Sequence, residues 1–389
     1  MVKLVFAHDN KFKLDEKGNL YSGGAFNNEV FERYTKLCDE LIVIGRVERI
    51  DSNQVRNLNL ITSNKIKFVG MPNVNSIRGL FNIKFVQKEI ENIVKECDGV
   101  IARTSTLGLM AAKAAKKFKK ACLVEVVGCI WDALWNYSLK GKIIAPFMFF
   151  LYRRWILKSK FVIYVSNEFL QRRYPTKGYK LSCSDVVIPS LSEDIIEKRL
   201  RRIESMKDRP INLGIIGNLD IKYKGHETAF RALALLKNKG FDFRLLCLGG
   251  GSKQKLEYFA ERLGIKEKVT FCGVVPSGEP VFDWLDNIDI FLIPSLQEGL
   301  PRALIEAMSR GCPAIGTRVG GIPELIDNNF VIKPKDFRGL AFKILELVND
   351  KDLMKEQAIR NFEKSKDYVK ELLDERREKF LNEFVTYSI

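Results

Sequence analysis

Two glutamates, Glu298 and Glu306, lie in the segment with the clearest chemical content in this 389-residue chain, PSLQEGLPRALIEAMSRGCPAIGTRVGGIPELI from Pro294 to Ile326. A strand predicted over Ile288–Ile293 runs into a turn, Pro301 takes a first helical position, and a helix over Arg302–Ser309 stops at Gly311. Such a helix start turns free N–H groups and the positive end of its dipole towards an anion, a natural seat for a diphosphate. Carboxylates at the two ends of that turn can accept hydrogen bonds from the hydroxyls of two sugars, one on each side of the diphosphate. A nucleotide-sugar has that geometry. The same residues also fit plain surface charge, with Arg302, Glu306 and Arg310 forming i, i+4 pairs.

Other chemistries have few residues to work with. There are two histidines, His8 and His226, so no H-E-x-x-H motif and no histidine-rich metal cluster exists. No D-x-D metal motif is evident in the strand-to-helix loops either, and neither a metal nor a cofactor is expected. The eight cysteines are scattered without a C-x-x-C pair, which fits buried free thiols better than a disulfide frame.

The elements that must position the glutamates read as alternating strands and amphipathic helices, the rhythm of parallel sheets flanked by helices. In the first half strands are predicted at Lys3–Ala7, Leu41–Ile44, Gly99–Ala102, Cys122–Val126 and Phe161–Val165. A charged segment, Ser192 to Pro210, breaks the rhythm and reads as a linker. A second series then begins at Asn212–Gly217 and includes Phe243–Leu248, Val269–Cys272 and Ala314–Gly316. The expected architecture is α/β, with two Rossmann-like domains facing a central cleft. The N-terminal domain is placed at 1–205 and the C-terminal domain at 206–364, with a helix over 365–389 packing back on the first. Paired domains of this kind bind ligands in the cleft, outside the carboxyl ends of their strands.

The run E-G-L-P-x-x-L-x-E-A-M-x-x-G-x-P, followed by G-G-I-P-E-L-I, resembles the E-x7-E signature of the retaining glycosyltransferases of family 4, which have the GT-B fold. The resemblance implies that Glu306 holds the ribose of a nucleotide-sugar donor and that Glu298 contacts the donor sugar and supports catalysis. Backbone amides near Gly299 to Leu304, a run that includes Leu300 and Pro301, would bind the diphosphate. In the family an arginine and a lysine after the first strand of the second domain grip the donor phosphates. Lys224, before Gly225, fits the lysine. The arginine position, next to Gly217, is Asn218, so either Asn218 donates a neutral hydrogen bond or Lys222 substitutes. In the first domain Gly23 and Gly24 fit a loop beside acceptor and donor phosphate, and equally an ordinary turn. Many members carry a histidine after the fourth strand. This chain reads CLVEVVGCIWDALW there, leaving Arg103, Glu125 and Asp132 as polar candidates for chemistry or for a structural ion pair. Trp131, Trp135 and Tyr137 offer surfaces for sugar stacking or for core packing.

The implied reaction is metal-independent, retaining transfer from a nucleotide-sugar to a glycan acceptor, lipid-linked, in bacterial surface-polysaccharide assembly. The alternatives are a GT-B nucleotide-sugar epimerase or phosphorylase and, in another class, a non-catalytic basic membrane- or nucleic-acid-binding protein.

Charge bears on the partner. The net charge is +16, and residues 101–209 carry 22 basic against 9 acidic side chains. Within them APFMFFLYRRWILKSK, Ala145 to Lys160, mixes aromatics with cations. At helical spacing Phe149, Tyr152, Trp155 and Ile156 cover one side while Arg153, Arg154 and Lys158 point elsewhere. That suits peripheral contact with an anionic membrane, and equally a core helix with a solvated basic edge. Nucleic acid is not expected, since no helix-turn-helix, zinc-finger or RNP pattern accompanies the charge. The amino terminus lacks the apolar region of a secretory signal, so the expected location is cytoplasmic, at the inner face of the cell membrane.

Overall fold

The computed structural model describes residues 1–389 except 24–25, 52–54, 56–57, 77 and 138. Two separate sheets organise it, one of nine strands and one of six. The first is built around Lys3–Leu14, paired in parallel on one side with Glu40–Arg49 and on the other with Gly99–Arg103, then Ala121–Val126, Phe161–Tyr164 and Tyr179–Ser182. The opening strand is longer than the sequence pattern suggests. Its register shifts between Ala7 and Lys11, and the outer half carries an antiparallel hairpin to Leu20–Ser22. Polar residues around His8 and Asp9 mask this continuation, because a strand with that composition loses its apolar alternation.

The second sheet is wholly parallel: Val269–Gly273, Phe243–Leu248, Ile211–Ile216, Ile290–Ile293, Ala314–Thr317 and Val331–Ile332 in that spatial order. Both faces are covered by helices, so its strands read as continuous apolar runs, and all of Ile290–Ile293 is buried. The helix His226–Lys237 shows why these segments are helical. Ala229, Phe230, Ala232, Leu233 and Leu236 recur on one face and are all buried, each large side chain contributing about 1.5–3 kcal/mol on burial.

The charged segment Ser192 to Pro210 is not a solvated linker, which corrects the boundary at 205. Its helix, Glu193–Glu204, packs on the second domain, where Ile196 and Ile203 join the core. Buried Arg199 donates to the carbonyl oxygens of Arg310, Ile288 and Leu285 and to Cys312 Sγ. Arg202 and Arg209 both bind the fully buried carboxylate of Asp289, at 2.8 and 2.7 Å. These partners lie 80 or more residues away in sequence, so charge alone gave the wrong picture. Arg199→Ala removes a charged donor from the carbonyls of Arg310 and Ile288 and from that of Leu285, which keeps Ile288 N at 3.0 Å. It is expected to lower the stability of the second domain by about 3 kcal/mol, read as a lower urea midpoint, whereas the exposed Arg201→Ala leaves the midpoint unchanged.

The chain therefore crosses between domains near Ile188. It crosses back at Val369, and the two crossings run side by side. Ile188 N donates to Tyr368 O at 3.1 Å and Lys370 N to Ile188 O at 3.0 Å. The last helix, Lys370–Ser388, then lies on the first domain, with Phe380 and Phe384 against Phe161.

Candidate active site

The loop after the strand Ile211–Ile216 and the loop after Ile290–Ile293 meet at the cleft. Gly225 has a left-handed φ of 80°, and a Cβ there would stand 2.0 Å from the carbonyl oxygen of Pro294. Only glycine fits, and its turn brings Lys224 against the second loop. Lys224 Nζ reaches Glu298 Oε1 at 2.9 Å, and the Ser295 hydroxyl donates to the same oxygen at 2.7 Å. Gly217 lies under the Lys224 stem. The side-chain oxygen of Asn218 accepts from Asp220 N at 2.9 Å within its own loop. Its exposed amide nitrogen makes no hydrogen bond among the described residues.

The turn Glu298–Leu300 is clamped from below by a second glycine. Gly320, at φ 54°, would place a Cβ 2.2 Å from the Glu298 carbonyl, and its neighbour Gly321 donates to Gly299 O at 2.7 Å. Pro301 then opens the helix Arg302–Ser309, which has no side-chain cap. The first helical bond is Ile305 N to Pro301 O, so the amides before it are open to an anion. Leu304 is buried beneath them as core. Glu306, one turn on, makes no hydrogen bond or ion pair through its carboxylate among the described residues. Burial raises its pKa, and Arg302 only tempers the effect.

Across the cleft the first domain contributes Asp132. A cavity of about 270 Å³ is bounded by Glu298, Gly299 and Gln297 on one side and by Thr104, Gly128 and Asp132 on the other. Burial raises the Asp132 pKa, while Arg173, 3.6 Å away, opposes the shift. Trp131 and Trp135 stack on each other at 5.4 Å, and the side chain of Tyr137 lies outside the described residues.

Arg103 and Glu125 do not line this cavity, which corrects their candidacy as acceptor or phosphate ligands. Glu125 is buried, bound by Arg103 at 3.2 Å and by the Tyr34 hydroxyl at 2.7 Å. Arg103 also binds Asp185, which Arg33 and Arg377 approach at 3.6 Å. This network joins the returning C-terminal helix to the first sheet, and with Asp374, which lies beside Arg33 and Arg377, its three arginines face three carboxylates. Gly24 lies outside the described residues, and Gly23 follows the strand Leu20–Ser22 and is not among the residues bounding the cavity.

Three residues not singled out from sequence complete the site. Ser295 orients Glu298, as above, and Gln297 accepts from Asn136 of the first domain at 3.3 Å. Glu324 accepts from the backbone amides of Asn167, at 2.7 Å, and Phe169, tying the domains together. It belongs to the G-G-I-P-E-L-I run, but nothing local announces a partner in the other domain.

His226, which opens the helix after Lys224, is buried, and its Nε2 has no partner among the described residues. Burial, aided by the charge of Lys224, lowers its pKa to about 4. The unfolded chain therefore holds more protons between that value and the ordinary imidazole range near 6.5. Stability is expected to fall as pH drops through this window, by at most about 1.4 kcal/mol per pH unit from this group. His226→Asn should flatten the decline in melting temperature between roughly pH 7 and 5.

Comparison with known proteins agrees with this geometry. Residues 210–350 match the family described as glycosyl transferases group 1. The chain is a glycosyltransferase. Protein CapJ of Staphylococcus aureus is 29% identical over 384 residues, covering 98% of this chain and 95% of CapJ. The putative colanic acid biosynthesis glycosyltransferase WcaL of Escherichia coli K12 is 34% identical over 145 residues, covering 35% of each chain. Among solved structures, sucrose-phosphate synthase from Thermosynechococcus elongatus superposes over 100% of both chains with a TM-score of 0.68 at 15% identity. Anabaena HepE in complex with UDP and glucose matches with a TM-score of 0.64 at 17% identity, covering 99% of this chain and 100% of that one. The fold of this glycosyltransferase is therefore GT-B, with two parallel-sheet domains across a cleft.

Proposed function

We propose that this glycosyltransferase moves a sugar, with retention of configuration, from a nucleotide-sugar to a lipid-linked glycan during surface-polysaccharide assembly at the cytoplasmic face of the membrane. The Lys224–Glu298 pair at the foot of an amide-lined turn carries the reading. In the free enzyme the ammonium neutralises Glu298. When a donor binds, its diphosphate competes for that ammonium while the amides at the start of Arg302–Ser309 take further phosphate oxygens. Charge builds on the departing diphosphate in the transition state, so cations and amide dipoles fixed beforehand lower the barrier. Lys224 supplies the positive charge locally, and the proposed reaction uses no metal or cofactor.

Glu298, held by Ser295, lies beside the sugar as positive charge develops on it. Asp132 faces it across the cavity, where an acceptor hydroxyl would approach. At the open side of the cleft a second cavity of about 580 Å³ is bordered by Arg172, Arg173 and Arg318. Arg318 is exposed and has no side-chain partner among the described residues. Arg172 is paired with Glu168 and Arg173 with Asp132, so Arg318 is the guanidinium left to meet a phosphate-bearing acceptor. The similarity to CapJ and to WcaL supports the polysaccharide setting.

The test is product analysis with a panel of labelled nucleotide-sugars and a lipid-diphosphate-linked acceptor. Label moving to the acceptor with its anomeric configuration retained is the expected result. Isomerised or phosphorolysed sugar without transfer would overturn the proposal.

A further inference from the structure

The long helix Leu139–Leu157 does not present the face that its sequence suggests. Tyr152 and Ile156 are buried and Phe149 and Trp155 half-buried, so that stripe is core. A second apolar face is left in solvent instead, with Ile143 81%, Phe147 69% and Phe150 65% exposed. These positions are four and three residues apart and continue, at the same spacing, into Arg154 and Lys158. One helix surface thus changes from apolar to cationic along its length.

At the cationic end lies a groove of about 500 Å³ between this helix and Thr106–Lys117. Lys113, Lys116, Lys120, Arg154, Lys158 and Lys160 border it, and among the described residues no carboxylate does. Lys160 sits over the Tyr387 ring. The side chains of the other five make no hydrogen bond or ion pair among the described residues. Leu109, Ala112, Leu151 and Trp155 form the apolar part of the groove. Six like charges gathered without counterions repel one another in the free protein, so the groove is complementary to an anion. Its apolar wall selects an anion that also carries hydrocarbon.

We infer that this groove, with the exposed face of Leu139–Leu157, docks the enzyme on anionic phospholipid: the lipid phosphate sits among the groove cations, and Ile143, Phe147 and Phe150 enter the interface. The inference rests on the membrane-surface part of the proposal above and names the residues and the lipid chemistry. A helix with apolar residues on the buried side of the interface and cations beside them lies in the plane of a bilayer. No described helix is long and apolar enough to cross one.

The test is flotation of the full chain with vesicles of phosphatidylcholine alone or with about a third phosphatidylglycerol, alongside transfer to a water-soluble acceptor analogue. The expected result is flotation with the anionic vesicles only. Lys113→Glu/Lys116→Glu/Lys120→Glu should weaken partition roughly a hundredfold. Phe147→Ser/Phe150→Ser should also weaken it and make what remains more easily removed by salt. Lys113→Gln/Lys116→Gln/Lys120→Gln, a milder change, should give an intermediate loss. All variants should keep the parent melting temperature and soluble transfer, so docking and catalysis fail separately. Equal flotation with neutral vesicles, no flotation, or tight binding to an RNA oligomer unaffected by Phe147→Ser/Phe150→Ser would each overturn the inference.

Discussion

Glu298→Gln is expected to lower kcat by about 10²–10³-fold while changing the affinity for the free nucleoside diphosphate little. The substitution keeps the size of the side chain and its hydrogen bonds to Ser295 and Lys224 but removes the charge beside the developing oxocarbenium-like sugar. Lys224→Met should lower kcat by a similar factor and, unlike Glu298→Gln, also weaken diphosphate binding, because the ammonium touches the leaving group in both ground and transition states. The two residues are bonded to each other, so the double variant should lose less than the product of the single losses. Steady-state kinetics on the four proteins measures this directly. A strictly multiplicative loss would mean that the pair does not act as a unit.

Glu306→Gln should act on binding. An ionised carboxylate accepting from two ribose hydroxyls contributes about 1.5–3 kcal/mol, so nucleotide affinity should fall by about 10–100-fold. The kcat at saturating donor should stay close to that of the parent. The pKa of Glu306 is raised because its carboxylate is buried without a partner, with Arg302 only partly compensating. Protonation removes the charge that strengthens those hydrogen bonds. Donor affinity should therefore decline on acidification, beginning above the pH at which an exposed glutamate titrates, and Glu306→Gln should abolish that dependence. Calorimetric titration of nucleoside diphosphate at several pH values reads both effects.

What could be read from sequence follows the range of the interactions. Glu298, Pro301 and Glu306 sit in one continuous run, where strand, turn and helix start are all encoded locally. The parallel strands of the second sheet are buried apolar runs with the same advantage. Asp185, by contrast, gathers Arg33, Arg103 and Arg377 from segments far apart in the chain, and no local pattern marks such a site. Arg199 and Arg202 looked like solvated linker charge for the same reason, since their acceptors lie in segments about 80–110 residues further along the chain. The helix Leu139–Leu157 failed differently. It is apolar on two faces, so a helical wheel shows amphipathic character without saying which face meets the sheet. The neighbouring elements decide that, and they place Tyr152 and Ile156 inside and Phe147 and Phe150 outside.

The proposed chemistry depends on where the donor's diphosphate lies. A crystal structure with a nucleoside diphosphate bound is the most direct measurement. The expected result places the phosphates within hydrogen-bond reach of Lys224 Nζ and the backbone amides that begin Arg302–Ser309, with the ribose hydroxyls on Glu306. A nucleotide bound elsewhere, with the Lys224–Glu298 bond intact, would contradict it.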